Sequence, residues 1–120
     1  VPTDLVDSSD FLPTILDVAG ITPPEDYFMD GRSFLPQLKG DKGNPRDWMF
    51  FHFDKDAKGE KDPGFRRYVR GQRWKLYETG LLYDTEVDPE ELSPFKTDSD
   101  TAESASARAE LHPVFAQMVR

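Results

Sequence analysis

The chain has 120 residues, a formal net charge of −8 and no cysteine, and 32% of its side chains are charged. That length makes one small domain with a modest core. Interspersed negative charge excludes nucleic acid and anionic membrane surfaces as general partners, because both need basic patches, and zero cysteine excludes disulfides and thiolate metal sites.

No apolar run in these residues approaches the length needed to span a bilayer, and they show no signal-peptide pattern, which is uninformative if residues precede Val1. The first predicted helix starts at Ser8 or Ser9, both good N-caps. Asp10 in its first turn suits the helix dipole, and Pro13 near the end of that turn costs little. Phe11, Leu12, Ile15, Leu16 and Ala19 make an apolar face at helical spacing, and Gly20 stops the helix. Residues 21–29, with Pro23-Pro24, form a rigid connector. Ser33 caps a short helical turn over residues 34–39, which Gly40 ends, and residues 41–47 are a polar loop.

Trp48-Met49-Phe50-Phe51-His52-Phe53 is nearly all apolar and suits a strand buried on both faces. Residues 54–64 are long, charged and Gly-containing, the composition of a mobile loop. A meander follows: Arg67-Tyr68-Val69-Arg70, a break at Gly71, Trp74-Lys75-Leu76-Tyr77, a turn at Thr79-Gly80, then Leu81-Leu82-Tyr83-Asp84. Residues 93–101 read as a polar linker. The last helix covers 102–120, with Ala105, Ala109, His112, Phe115 and Val119 on one stripe and Pro113 kinking or interrupting it. The expected fold is α+β: a small four-stranded antiparallel sheet, strands near 48–53, 65–70, 73–78 and 81–84, packed with a C-terminal helix and an N-terminal helix in a single domain over 1–120.

The wording of the meander is more specific than its pattern. Arg67-Tyr68-Val69-Arg70, Trp74-Lys75-Leu76-Tyr77, Gly80, Leu82-Tyr83-Asp84 and Asp88-Pro89-Glu90 stand in the order of a motif at the C-terminal end of the sulfatase family, and the chain resembles that end. Two upstream blocks also match it: Asp10-Phe11-Leu12-Pro13-Thr14-Ile15-Leu16-Asp17-Val18-Ala19-Gly20, similar to D-x-x-P-T-(I/L)-L-D-x-A-G, and Asp30-Gly31-Arg32-Ser33-Phe34-Leu35-Pro36-Gln37-Leu38 followed by Gly40. Each block alone is weak, and the ordered set is strong. One departure is Leu92-Ser93-Pro94-Phe95, where the family often carries Asn.

The resemblance implies a parent enzyme that hydrolyses sulfate esters with formylglycine and calcium. This chain holds neither motif: it has no Cys, and no Ser is followed by Pro or Ala at +2 and Arg at +4. Asp84, Asp88, Glu90 and Glu91 lack the spacing of a calcium loop and read as a solvated turn. The expected cofactor content of this chain is therefore none, and the chain alone is expected to be inactive. A start on Val1 rather than Met fits a fragment or an excised domain. Implied partners are the missing catalytic domain and a sulfated small molecule or glycan. The compartment is periplasmic or secreted if the parent is a typical bacterial sulfatase. In the parent the first helix would lie at the edge of the catalytic domain, which here leaves Phe11, Ile15 and Leu16 as an exposed apolar patch.

Expected substrate-binding residues are His52, Arg67 and Arg70. His52 resembles a position facing the cleft, where an imidazole can donate to a sulfate oxygen near neutral pH; the alternative is a half-buried core or surface histidine. Arg66, Arg67 and Arg70 can bind sulfate in fork geometry, or form a solvent face that pairs with acids. Lys75 is expected to pair with Asp84 or Asp88, His112 to pack, and Tyr83 to be partly exposed. Two further readings stay open: a stand-alone interaction or glycan-binding module without activity, and a relative in the same superfamily such as a phosphoesterase or phosphonate hydrolase.

Overall fold

A computed structural model of the chain describes residues 3–54, 57 and 65–118. It separates into two compact units, Val1–Asp47 and Trp48–Arg120. Among the described residues no helix is long and apolar enough to cross a membrane.

In the first unit a 3-10 turn, Ser8–Asp10, runs into α1, Phe11–Ala19, and a short α2, Leu35–Leu38, follows. The N-cap is Asp7, not Ser8 or Ser9. Its carboxylate accepts from the Ser9 amide while Asp10 accepts from the Asp7 amide at 2.8 Å. This capping box needs an acceptor three residues after the cap. Ser8 and Ser9 would have Phe11 and Leu12 there. Gly20 ends α1 in the left-handed region, φ 68°. The N-cap of α2 is Phe34 rather than Ser33, although the Ser33 hydroxyl accepts from the Leu35 amide.

Helix α1 turns its polar side inward. Thr14 is its buried residue, and Asp10, just before it, is 2% exposed. The Thr14 hydroxyl donates to the Asp10 carbonyl and accepts from the Phe34 amide, and Asp17 accepts from the Ser33 hydroxyl at 2.6 Å. Arg46 grips the Asp10 carboxylate with Nε and Nη2, and the Arg32 amide donates to the same group at 2.8 Å. Burial pushes the Asp10 carboxyl up. Arg46 and the two amides outweigh this and hold it below the ordinary carboxylate value. Gly31 allows the close approach of these segments, since a Cβ there would lie 1.9 Å from the Ser9 carbonyl oxygen. Phe11 and Ile15 are exposed as expected, while Leu16 is half-buried.

The second unit is a meander of β1 Met49–Phe53, β2 Arg66–Arg70, β3 Trp74–Tyr77 and β4 Leu82–Asp84, in sheet order 1-2-3-4 and antiparallel throughout. Helix α3, Ala102–Met118, packs on it. The four-stranded α+β arrangement read from the sequence is the arrangement found, although α1 lies in the other unit. The loop expected over 54–64 falls largely outside the described residues, as does Val119. In register, Phe50 faces Val69, Val69 faces Leu76, and Leu76 faces Leu82. This row sits under Ala107, Leu111 and Val114 of α3; Val69, Leu76 and Leu82 are 0%, 1% and 0% exposed.

Several expectations are corrected here. Strand β1 is not buried on both faces, because α3 packs on the Phe50 side of the sheet; only Met49 is buried, and His52 and Phe53 are exposed. The buried stripe of α3 is Ser104, Ala107, Leu111 and Val114, not the set through Ala105, Ala109 and His112. The polar Ser104 leads that stripe because its hydroxyl accepts from the Thr101 amide and donates to Asp100, so it caps and packs at once. His112 is exposed, with its ring edge-on to Phe115. The helix continues through Pro113. Residues 93–101 are more than a linker: Phe95 exchanges two backbone hydrogen bonds with Leu82 and packs edge-on to Trp74. Tyr83 is buried rather than partly exposed.

Charge pairing holds the turns. Arg73, not Lys75, grips Asp84, with Nε at 3.0 Å and Nη2 at 2.6 Å, and also reaches Glu103. Lys75 instead meets Glu91 at 2.5 Å and lies over the rings of Tyr68 and Tyr77. Period-two alternation accounts for both. Asp84 is opposite Trp74 on the α3 side, and Lys75 points to the other face. Glu91 also accepts from the Tyr77 hydroxyl and adopts φ 57°, and Asp88 accepts from the amides of Leu92 and Ser93. Of the four acids read as a solvated turn, Asp84, Asp88 and Glu91 are therefore tied into the fold, while Glu90 is exposed. Arg73 holds the Asp84 carboxyl below its usual range, and Arg108 does the same for Asp100.

Leu111→Ala should cost about 2–5 kcal/mol of unfolding free energy, and His112→Ala should stay within about 0.5 kcal/mol, both read by urea denaturation. For pH the sign follows from depressed carboxyls. Asp10, Asp84 and Asp100 add stability above about pH 4 and lose it as pH falls through their lower folded values. In Arg73→Met the buried Asp84 carboxylate loses its cation, so its share reverses sign. That variant should gain stability relative to wild type as pH is lowered from 7 toward 4, measured by urea midpoints across that range.

Candidate functional site

Alternation along β2 decides which candidate side chains can act together. Val69 faces α3, so Arg67 shares that face, and Arg66, Tyr68 and Arg70 take the other. His52 is the register partner of Arg67. These two side chains therefore stand side by side on one face, at the end of the sheet where β1 stops and β2 starts. Arg70 pairs with Met49 at the opposite end and on the opposite face. The structure brings His52 and Arg67 together and sets Arg70 apart.

Phe65 links the pair. Its ring meets the His52 imidazole edge-on, centroids 5.3 Å apart, and the Arg67 guanidinium lies 4.6 Å from the ring centroid. Across the sheet Arg67 faces Glu78. The Glu78 amide donates to the Arg67 carbonyl at 3.0 Å, and Arg67 Nη1 donates to both Glu78 carboxylate oxygens at 3.1 and 3.3 Å. Arg66 Nη1 donates to the Phe65 carbonyl at 2.7 Å. Among the described residues, Arg70 Nε is buried without a hydrogen-bond partner.

A cavity of about 390 Å³ opens at this end of the sheet, lined among others by Phe65, Arg67, Tyr77, Glu78, Leu81 and Tyr83. Pockets of about 300–1,000 Å³ suit small organic ligands. Its walls are largely aromatic and aliphatic, and the guanidinium groups of Arg66 and Arg67 and the carboxylate of Glu78 supply the charge. Such a set can hold a tetrahedral oxyanion and a hydrogen-bond donor on one molecule. Among the described residues its wall carries no Cys or Ser. Among the described residues no group of three or more His, Cys, Asp or Glu is placed to hold a metal ion; Asp84, Asp88 and Glu91 are spent on Arg73, backbone amides and Lys75.

Glu78 and Phe65 were not singled out from the sequence, and Tyr77 was read as core rather than as a sugar-stacking ring. The signal for Glu78 was available: pairing Arg70 with Lys75 around Gly71 places Glu78 opposite Arg67.

The sequence matches the family described as N-sulphoglucosamine sulphohydrolase, C-terminal, over residues 1–118. The chain belongs to this sulfatase family. Solved structures agree. A 2-O GAG sulfatase is 28% identical with a TM-score of 0.65, over 90% of this chain and 24% of its own. A protein solved in complex with its substrate D-glucosamine-2-N,6-O-disulfate is 26% identical with a TM-score of 0.66, over 90% and 22%. A phosphonate monoester hydrolase of Agrobacterium radiobacter is 29% identical with a TM-score of 0.61, over 90% and 23%. The chain thus spans about a quarter of the length of the structures it matches. No curated protein sequence matches it.

Proposed function

We propose that this chain is the C-terminal, non-catalytic part of a longer sulfatase that hydrolyses sulfate esters, and that the end of its sheet bearing His52 and Arg67 lines the substrate cleft. The observation that carries this reading is the register pairing of His52 with Arg67 beside the cavity, in a chain of the sulfatase C-terminal family. An exposed imidazole and a guanidinium flanking one aromatic ring suit a sulfated ligand. A neighbour solved with a sulfated glucosamine supports the substrate class.

Formylglycine and calcium, which the family implies, do not fit the residues present. The sequence lacks the Cys or Ser motif, and no described cluster is arranged for a cation. The attacking group and the metal belong to another part of the parent, which is the partner of this chain. Here the protein's work is to bind and orient the ligand. The likeness to a phosphonate monoester hydrolase favours one second reading, since a guanidinium accepts either tetrahedral oxyanion.

The test is hydrolysis of 4-nitrophenyl sulfate and of a phenylphosphonate monoester, with calcium, by the full-length parent and by the isolated chain. Sulfate ester hydrolysis by the parent alone is expected. Preference for the phosphonate would move the assignment to the second reading, and activity in the isolated chain would contradict both. In the parent, His52→Ala should raise KM for a sulfated sugar by roughly tenfold and change kcat less. An unchanged KM would remove His52 from the site.

A further inference from the structure

Among the described residues Glu78 is the acid on the cavity wall, where it pairs with Arg67. Its side chain is 39% exposed and its partner Arg67 is 15% exposed. The pair is joined through a single guanidinium nitrogen shared between both carboxylate oxygens, at 3.1 and 3.3 Å. This is not the two-nitrogen fork that Arg73 makes with Asp84 at 3.0 and 2.6 Å. A single-nitrogen contact to a partly exposed carboxylate holds Glu78 less firmly than the two-nitrogen fork holds Asp84. By position the pair presents an acceptor and a donor to the same cavity.

A carboxylate beside a sulfate-binding arginine is a handicap if the ligand is only an anion. It is useful if the ligand also carries a hydroxyl or an amine. The surrounding surface fits such a molecule: Phe65, Tyr77 and Tyr83 supply ring faces and edges, and Leu81 closes one side. An aryl sulfate would meet those walls but would have no donor for Glu78.

Resting on the sulfatase reading above, we infer that Glu78 is a specificity-determining residue that accepts a hydrogen bond from a hydroxyl or amine of a sulfated sugar whose anionic group Arg67 holds. Glu78 touches the ligand and takes no part in bond breaking. Arg67 is kept in place by the Phe65 ring, so it stays oriented when Glu78 turns from it to the ligand.

The experiment compares wild-type, Glu78→Gln and Glu78→Asp in the full-length parent on two substrates, D-glucosamine-2-N,6-O-disulfate and 4-nitrophenyl sulfate. Glu78→Gln should raise KM for the sugar by roughly tenfold, the scale of one hydrogen bond to a charged group, with kcat within about twofold. Its kcat/KM for the aryl sulfate should stay within about twofold, and Glu78→Asp should recover part of the sugar affinity. Equal losses on both substrates would assign Glu78 a structural role and overturn the inference, as would no change on either. A wild-type parent that hydrolyses neither ester would overturn the sulfatase reading itself. A wild type active on the aryl ester alone would sink the sugar assignment while leaving that reading intact.

Discussion

The burial of Val69 against α3 is the constraint from which the rest of the sheet unit follows. Side chains alternate along a strand, so once Val69 points into the core the faces of Arg66, Arg67, Tyr68 and Arg70 are settled. Pairing carries that parity sideways. Phe50 and His52 join the core face of β1, Leu76 that of β3, and Leu82 and Asp84 that of β4. A slip of one residue would expose Val69 and Leu76 and bury Tyr68 with its guanidinium neighbours. Each fully buried aliphatic side chain contributes about 1.5–3 kcal/mol, so the slip is strongly disfavoured. The placing of His52 beside Arg67 is thus a consequence of core packing and not a separate design.

Polar contacts do a different job in the two units. In the first, the buried side of α1 is marked by Thr14 and, just before the helix, Asp10, which fasten backbone amides and Arg46, while Phe11, Leu12, Ile15 and Val18 are exposed. In the second, apolar packing forms the centre, and Arg73, Lys75 and Arg108 fix the turns around it. Arg108 joins three pieces of backbone and side chain at once, donating to the carbonyls of Gly80 and Phe95 and to Asp100. Segments with little regular structure, such as 85–101, are ordered by these contacts.

The four strands and three helices were legible because their signals are local: period-two runs, Gly80 in its turn, Gly20 at the end of α1. The family was legible because three weak blocks occur in a fixed order. What could not be read depends on non-local geometry. The stripe of α3 was misplaced by one face because Ser104, a polar residue, lies on the buried side, where its hydroxyl is satisfied by Asp100 and the Thr101 amide. Strand β1 looked buried on both sides because its composition is apolar, yet α3 packs on the Phe50 side of the sheet. Lys75 was assigned to the wrong acid because sequence distance does not reveal which face an acid occupies. Of the proposed site, His52 and Arg67 were named by residue type, and the register sets them side by side. Arg70 was grouped with them although parity sends it elsewhere, and Glu78 was overlooked although the same parity places it opposite Arg67.

Together these features describe a sheet whose core faces one way and whose far end carries two guanidinium groups and a carboxylate on an aromatic-walled cavity, with the His52 imidazole beside Arg67. The central claim is that this end contacts the substrate of a sulfatase. The most direct measurement is a crystal structure of the full-length parent with D-glucosamine-2-N,6-O-disulfate bound. The account predicts a sulfate oxygen within hydrogen-bond distance, about 3 Å, of the Arg67 guanidinium or the His52 imidazole. A ligand bound with this end of the sheet turned away from it, separated by more than about 10 Å and one screening length of solvent, would contradict it.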